Sequence, residues 1–259
     1  MTELMEGITF GLDTDDEFEC PFDHRPKTHD KTNVLPPPTS QNNASKLSAS
    51  LAAESAHVEN IDISFACRSK SHAEQAQFTA HHLVPGNETW PKTRLYKWVD
   101  KRKSHIKGDI GYDINGRSNG VDLPGHTAAP SWADPQYQRA YAFACMESDR
   151  KMRQFHDRHP AYSDFVVKAL NKMAEKMERP GMPPGCGKKN CGGGGASKPY
   201  DPPYDLIERL AGVALRLERQ LVGSSRRWRK PLMTSRFALM YKDDRLTQDQ
   251  ARAELKVGG

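Results

Sequence analysis

The chain contains no long apolar run. None of its segments approaches the ~20 consecutive apolar residues needed to cross a bilayer, and the start, MTELMEGITFGLDTDDEFEC, has no basic opening leading into an apolar stretch. The sequence therefore reads as neither membrane-spanning nor exported through a cleaved signal peptide; export by a dedicated machine would leave no such mark. Cysteine is scarce as well. Five cysteines (Cys20, Cys67, Cys145, Cys186, Cys191) scattered over 259 residues do not make the disulfide framework of a small secreted domain, and a reducing working compartment suits them better. There is no internal repeat and no extreme charge: a formal net charge of +5 permits a polyanionic partner such as nucleic acid without demanding one.

What is present is a polar chain, 36% hydrophobic and 27% charged, long enough to bury a core and carrying segments with too little apolar surface to order themselves. From about Asp15 to Leu51 the composition is Pro, Ser, Asn, Thr and charge around Pro36-Pro37-Pro38, which reads as a flexible leader. Cys20 and His24 in CPFDH form at most a ligand pair without companions. GMPPGCGKKNCGGGGASKPYDPP, between Gly181 and Pro203, reads as a linker; Cys186 and Cys191 within it could chelate zinc or pair, but no second Cys pair accompanies them.

Four helices can be placed. Tyr162, Phe165, Val166, Ala169, Leu170, Met173 and Met177 form an apolar stripe opposite Lys168, Lys172 and Glu175, and Leu206, Leu210, Val213, Leu217 and Leu221 form another after Asp201 as a cap and prolines in the first turn. Weaker patterns cover Pro91 to Lys103 and Pro135 to Gln154. Phe78 to Pro85 and Ile110 to Leu123 read instead as strands and turns of a small ribbon. The expected organisation is a leader over 1–60, a folded domain over 61–180, a linker over 181–203 and a helical segment over 204–259, of the α+β class.

The polar residues of the ribbon invite chemistry. Adjacent side chains on an extended backbone point to opposite faces, so His81 and His82 would take different tasks, one ligating a metal and the other facing substrate. His156 and His159, at i and i+3, can share one face of a helical turn and add imidazoles to the same ion. An open metal site binds phosphate oxygen and stabilises a leaving oxygen, while a neutral imidazole, titrating near pH ~6.5, can deprotonate water if another group such as an Asn or a carbonyl fixes its orientation. Taken singly, an adjacent His pair is more often incidental and Asn-Gly more often a turn; their ordered co-occurrence is what carries weight.

TAHHLVPG, GYDINGRSNGVDLPGH and QFHDRHPAYSDFV together resemble the AHH nucleases of the HNH/endonuclease VII group, with the ββα-metal fold, over about Phe65 to Lys176. The resemblance implies that His81 is a metal ligand, His82 the general base that activates water, Asn119 the middle Asn that braces the ribbon and helps orient the base, and His159 the helix-borne ligand. His156 is a further ligand candidate whose interval from His159 is one residue shorter than related sites often have. Asn115 and Asp113 are polar neighbours in the same ribbon, with Asn115-Gly116 suiting a turn, and His126 suits the surface. The implied cofactor is one divalent ion, Mg2+, Mn2+ or Zn2+.

Arg226, Arg227, Trp228, Arg229 and Lys230 combine charge with an aromatic, either as a phosphate-tracking and base-stacking surface or as a solvated basic turn with a packed Trp; Lys101, Arg102 and Lys103 are further candidates for backbone contacts. The resemblance implies hydrolysis of nucleic acid, DNA over RNA. It also implies a bacterial toxin or effector, held in the producing cytoplasm and exported without a signal peptide to a target-cell cytoplasm, with an immunity protein as partner and the leader engaging a secretion apparatus or adaptor. The rival reading is a metal-stabilised nucleic-acid-binding or adaptor module that does not cut, which predicts a closed four-ligand site.

Overall fold

The structure is a computed structural model, and it describes residues 42–63, 75–103, 105–125, 135–178, 202–203 and 206–245. Cys20, His24, Cys67, His126, Asp201, Cys186 and Cys191 lie outside them, as do most of the expected leader and linker. The protein is α+β, and it divides into two compact units.

The first unit takes in 43–83, 115–165 and the chain from Leu217 onward. It begins with helix α1, Ala44–Ala53, whose N-cap Asn43 accepts the Lys46 N–H through its side chain at 2.9 Å, satisfying one of the amides a helix start leaves unpaired. Residues 43–60 are thus folded, and the expectation of a flexible leader up to residue 60 is corrected there: Leu47 and Leu51, spaced i and i+4, give the polar segment an apolar anchor, and both are buried. Strands β1, Ile61–Asp62, and β2, Gln75–Ala76, pair antiparallel. Strands β3, Phe78–His82, and β4, Gly120–Pro124, form a second antiparallel ribbon in which His81 faces Val121 and His82 faces Gly120 across the ladder. Of the stretch read as strands and turns, residues 117–119 form a short 3-10 turn, Arg117–Asn119, that leads into β4.

Helix α2, Pro135–Ser148, starts on a proline, where the missing amide costs nothing. It ends before the expected Gln154 because Asp149 captures the backbone N–H groups of Lys151 and Arg153, with Met152 held at φ 50°. Helix α3 follows at Pro160–Met177, α4 at Leu206–Leu221 and α5 over 236–245. One core cluster joins Ile63, Phe78, Tyr141, Met146 and Phe155 to Trp228, Met233, Phe237 and Tyr241. The segment after Leu217 therefore belongs to the same unit as the ribbon, a division the linear order of leader, domain, linker and helical segment does not follow.

The second unit takes in 84–114 and 166–216. A helix was expected over 91–103, but Pro91 and the extended backbone of Thr93, whose hydroxyl accepts the Leu95 N–H, break it into 3-10 turns at Trp90–Lys92, Arg94–Trp98 and Lys101–Lys103. Thr93 and Arg94 both bond the Asn171 side chain, and Arg94 pairs with Glu175 and Glu178. Among the described residues no helix is long and apolar enough to cross a membrane.

Candidate metal centre

The pleat of β3 separates the two adjacent histidines. His81 points with Thr79 to one side of the ribbon, and His82 points with Ala80 and Phe78 to the other. On the first side His81 meets His156 and His159, with ring centroids 4.7 and 5.1 Å away, while Tyr162 closes the group at 5.4 Å. One ligand nitrogen from each of the three histidines can be chosen so that all lie within 4.8 Å of one another, and His156 Nε2 is 3.0 Å from His159 Nε2.

Two observations suit this cluster to a divalent cation. His81 Nε2 is buried without a hydrogen-bond partner, a costly state for an imidazole nitrogen unless something accepts its lone pair or proton. Burial, reinforced by the neighbouring imidazoles, also holds His81 well below its ordinary range and brings His156 down to about 4, so both are neutral bases near pH 7, the form that ligates. Nitrogens sharing one ion at ~2.0–2.1 Å stand at most about 4 Å apart, a contraction that small side-chain rotations supply.

The two flanking histidines sit differently from expectation. His156 and His159 stand just before α3 in irregular backbone instead of occupying a helical turn, and the His159 carbonyl accepts the Tyr162 and Ser163 N–H groups at the helix start. Pro160 fixes the helix beginning just behind it. His156 is held by a bridge to the end of β4, its N–H bonding Pro124 O at 2.7 Å. Glycine at 125 makes that approach possible, since a Cβ there would stand 3.2 Å from both His156 O and Thr79 Oγ1. On the far side Thr234 brackets His156 by donating to Phe155 O and accepting from Asp157 N–H. Tyr162 OH donates to Leu83 O at 2.7 Å and ties α3 to the end of β3.

Across the ribbon His82 is buried, with its Nε2 2.9 Å from Asn115 Oδ1. The same oxygen accepts the Asn43 backbone N–H at 2.8 Å. An amide N–H can only donate, so the Asn115 oxygen must face it, and His82 Nε2 must carry a proton. In the neutral ring the lone pair then resides on Nδ1. Asn115, read from the sequence as a turn residue, thus contacts His82 directly and fixes its orientation at Nε2; an Asn-Gly pair gives no sign of this, because the contact spans 33 residues. Asn119 is fully buried, and its backbone continues the ribbon, accepting Leu83 N–H at 2.9 Å and donating to Gly116 O.

The charged segments are also placed. Arg226, Arg227, Arg229 and Lys230 are exposed in the unit that holds the histidines. Trp228 is a correction: it is fully buried in the core, its indole N–H bonding Gly223 O at 3.0 Å, and so is not a surface for stacking bases. Lys101 and Arg102 are exposed in the other unit, where Arg102 chelates the buried Asp100 carboxylate through Nε and Nη2.

Residues 66–181 match a family model described as AHH, a nuclease family of the HNH/ENDO VII superfamily with conserved AHH. No curated protein and no solved structure matches the chain.

Proposed function

Residues 66–181 belong to the AHH family of HNH/ENDO VII nucleases, and from that premise we propose that the protein hydrolyses phosphodiester bonds of DNA, with His82 as general base and His81, His156 and His159 as the ligands of one divalent ion. The observation that carries the reading is the division of labour across the ribbon. Three imidazoles gather on one side, and on the other a single imidazole is fixed in one tautomer.

His82 donates from Nε2 to Asn115 and offers Nδ1 to a water, taking its proton as the water attacks phosphorus. Asn115 keeps the ring in the tautomer that can do so, and Asn119 braces the ribbon through its backbone. When bound, the ion supplies charge neutralisation at the phosphate and stabilisation of the leaving oxygen. Three protein ligands, the number found here among the described residues, are typical of centres that keep a position open, whereas structural sites close with four.

Exposed Arg226, Arg227, Arg229 and Lys230 are suited to follow the phosphate backbone, with Lys101 and Arg102 as further contacts. Family resemblance supports a role as a secreted antibacterial toxin or effector restrained by an immunity protein, with residues before the folded unit engaging the secretion machinery.

The test incubates purified protein with plasmid DNA and with RNA, with and without EDTA, beside His82→Ala and Asn115→Ala. Cleavage of DNA that EDTA abolishes, falling about 100-fold or more in His82→Ala and about tenfold in Asn115→Ala, is expected. Equal cleavage by wild type and His82→Ala would overturn the assignment of the base.

A further inference from the structure

Residues 43–58 precede the matched stretch, yet they dock along the His82 side of the ribbon at three points. At one end the Asn43 N–H bonds Asn115 Oδ1. In the middle α1 lies against Gly120, where a Cβ would stand 2.6 Å from Leu47 Cδ1 and 3.3 Å from Leu51 Cδ2, so the absent side chain lets both leucines pack directly on the ribbon. At the far end Asp122, fully buried and two residues along the same face, accepts the Val58 N–H at 2.8 Å and pairs with His57 Nδ1 at 2.7 Å through the same oxygen. The glycine that follows Asn119 thus does more than shape a turn.

We infer that this segment is a positioning element for the catalytic histidine, with the Asn43 N–H holding the Asn115 oxygen towards His82 and so favouring the ring tautomer of His82 that carries its proton on Nε2. The physical step is a choice between two amide orientations. With the oxygen towards Asn43 and His82, both contacts are hydrogen bonds and His82 is the Nε2–H tautomer. Rotating the amide by half a turn would set its NH2 against the Asn43 N–H, two donors facing each other, and would offer His82 Nε2 a donor, placing the ring proton on Nδ1. That tautomer cannot take a proton from water at Nδ1. This inference rests on the assignment of His82 as base for its effect on cleavage, but not for its effect on the ring.

The side chain of Asn43 gives a mild way to loosen the contact, because it caps α1 while the bond to Asn115 comes from the Asn43 backbone. Asn43→Ala removes the cap and frays the first turn, Asn43→Ser restores a cap, and Leu47→Ala/Leu51→Ala weakens the docking of the whole helix. The readout is the 15N spectrum of the histidine rings in the full 259-residue chain at one fixed pH, with and without zinc, the His82 signals being identified by their loss in His82→Gln. Wild type should show His82 protonated on Nε2. Asn43→Ala and the double variant should show a mixture with the Nδ1–H form and a kcat lower by about 3–10-fold at unchanged KM, and Asn43→Ser should return both to wild type. A His82 tautomer unchanged in Asn43→Ala and in the double variant, or a wild-type ring protonated on Nδ1, overturns the inference. If the ring responds as expected in a protein that cleaves neither DNA nor RNA, the nuclease assignment fails and the positioning role stands.

Discussion

His156 illustrates how strongly one side chain depends on its surroundings. Burial and the adjacent His159 bring it from an ordinary 6.5 down to about 4, whereas the unfolded chain keeps the ordinary value. Between those limits the unfolded state binds more protons than the folded one, so stability rises with pH. The contribution of His156 is complete above about pH 6.5 and is lost as pH falls from there towards 4. Urea unfolding of EDTA-treated protein should show the midpoint dropping across this window, and His156→Gln should flatten that part of the profile. A midpoint constant between pH 7 and 4.5 in the metal-free wild type would contradict the placement of His156.

At the level of elements, the centre depends on the irregular segment between α2 and α3 as much as on the ribbon. Asp149 organises that segment: it accepts the Lys151 and Arg153 N–H groups and pairs with the Arg153 guanidinium at 2.6 Å, both side chains being more than nine-tenths buried. Arg153 also lies over the Phe78 ring. Removing one member of a buried pair strands the other and costs about 3–5 kcal/mol. Asp149→Ala is therefore expected to lower the unfolding free energy by that amount in urea titration. Because the same turn leads directly to His156, metal affinity measured by calorimetry should weaken with it. A loss below about 1 kcal/mol would mean that the pair is solvated.

At the scale of the whole molecule, the matched family segment is not a self-sufficient body. The core of the unit that holds the histidines draws Ile63 from before it and Trp228, Met233, Phe237, Ala238 and Tyr241 from after it. The backbone leading into the centre is hydrogen-bonded to that later segment as well: Gln154 N–H donates to Leu221 O, Gly223 N–H to Lys151 O, and the Gln154 side chain bonds Thr234 and Gln220. A fragment of residues 66–181 should expose the apolar sides of Phe78, Tyr141 and Phe155 and fail to fold. Amide exchange should then show no protected ribbon, whereas residues 42–245 together should retain it. A cooperatively melting 66–181 fragment would overturn this.

Local rules were enough for much of this protein. Strand alternation in Phe78–His82 dictates that His81 and His82 diverge, periodicity places the stripes of α3 and α4, and the ordered AHH, Asn-Gly and His-Pro signals point to the nuclease family that residues 66–181 match, because each depends on neighbours within a few residues. Tertiary structure alone decided the rest. It selected Asn115 to contact His82, buried Trp228, turned a polar N-terminal stretch into a docked helix and joined the chain after Leu217 to the ribbon. Each of these depends on partners dozens of residues away, and the physical reason is the same throughout: a buried amide, indole or carbonyl must find a hydrogen-bond partner, and a small apolar anchor must find a cavity, wherever in the chain the fold supplies them.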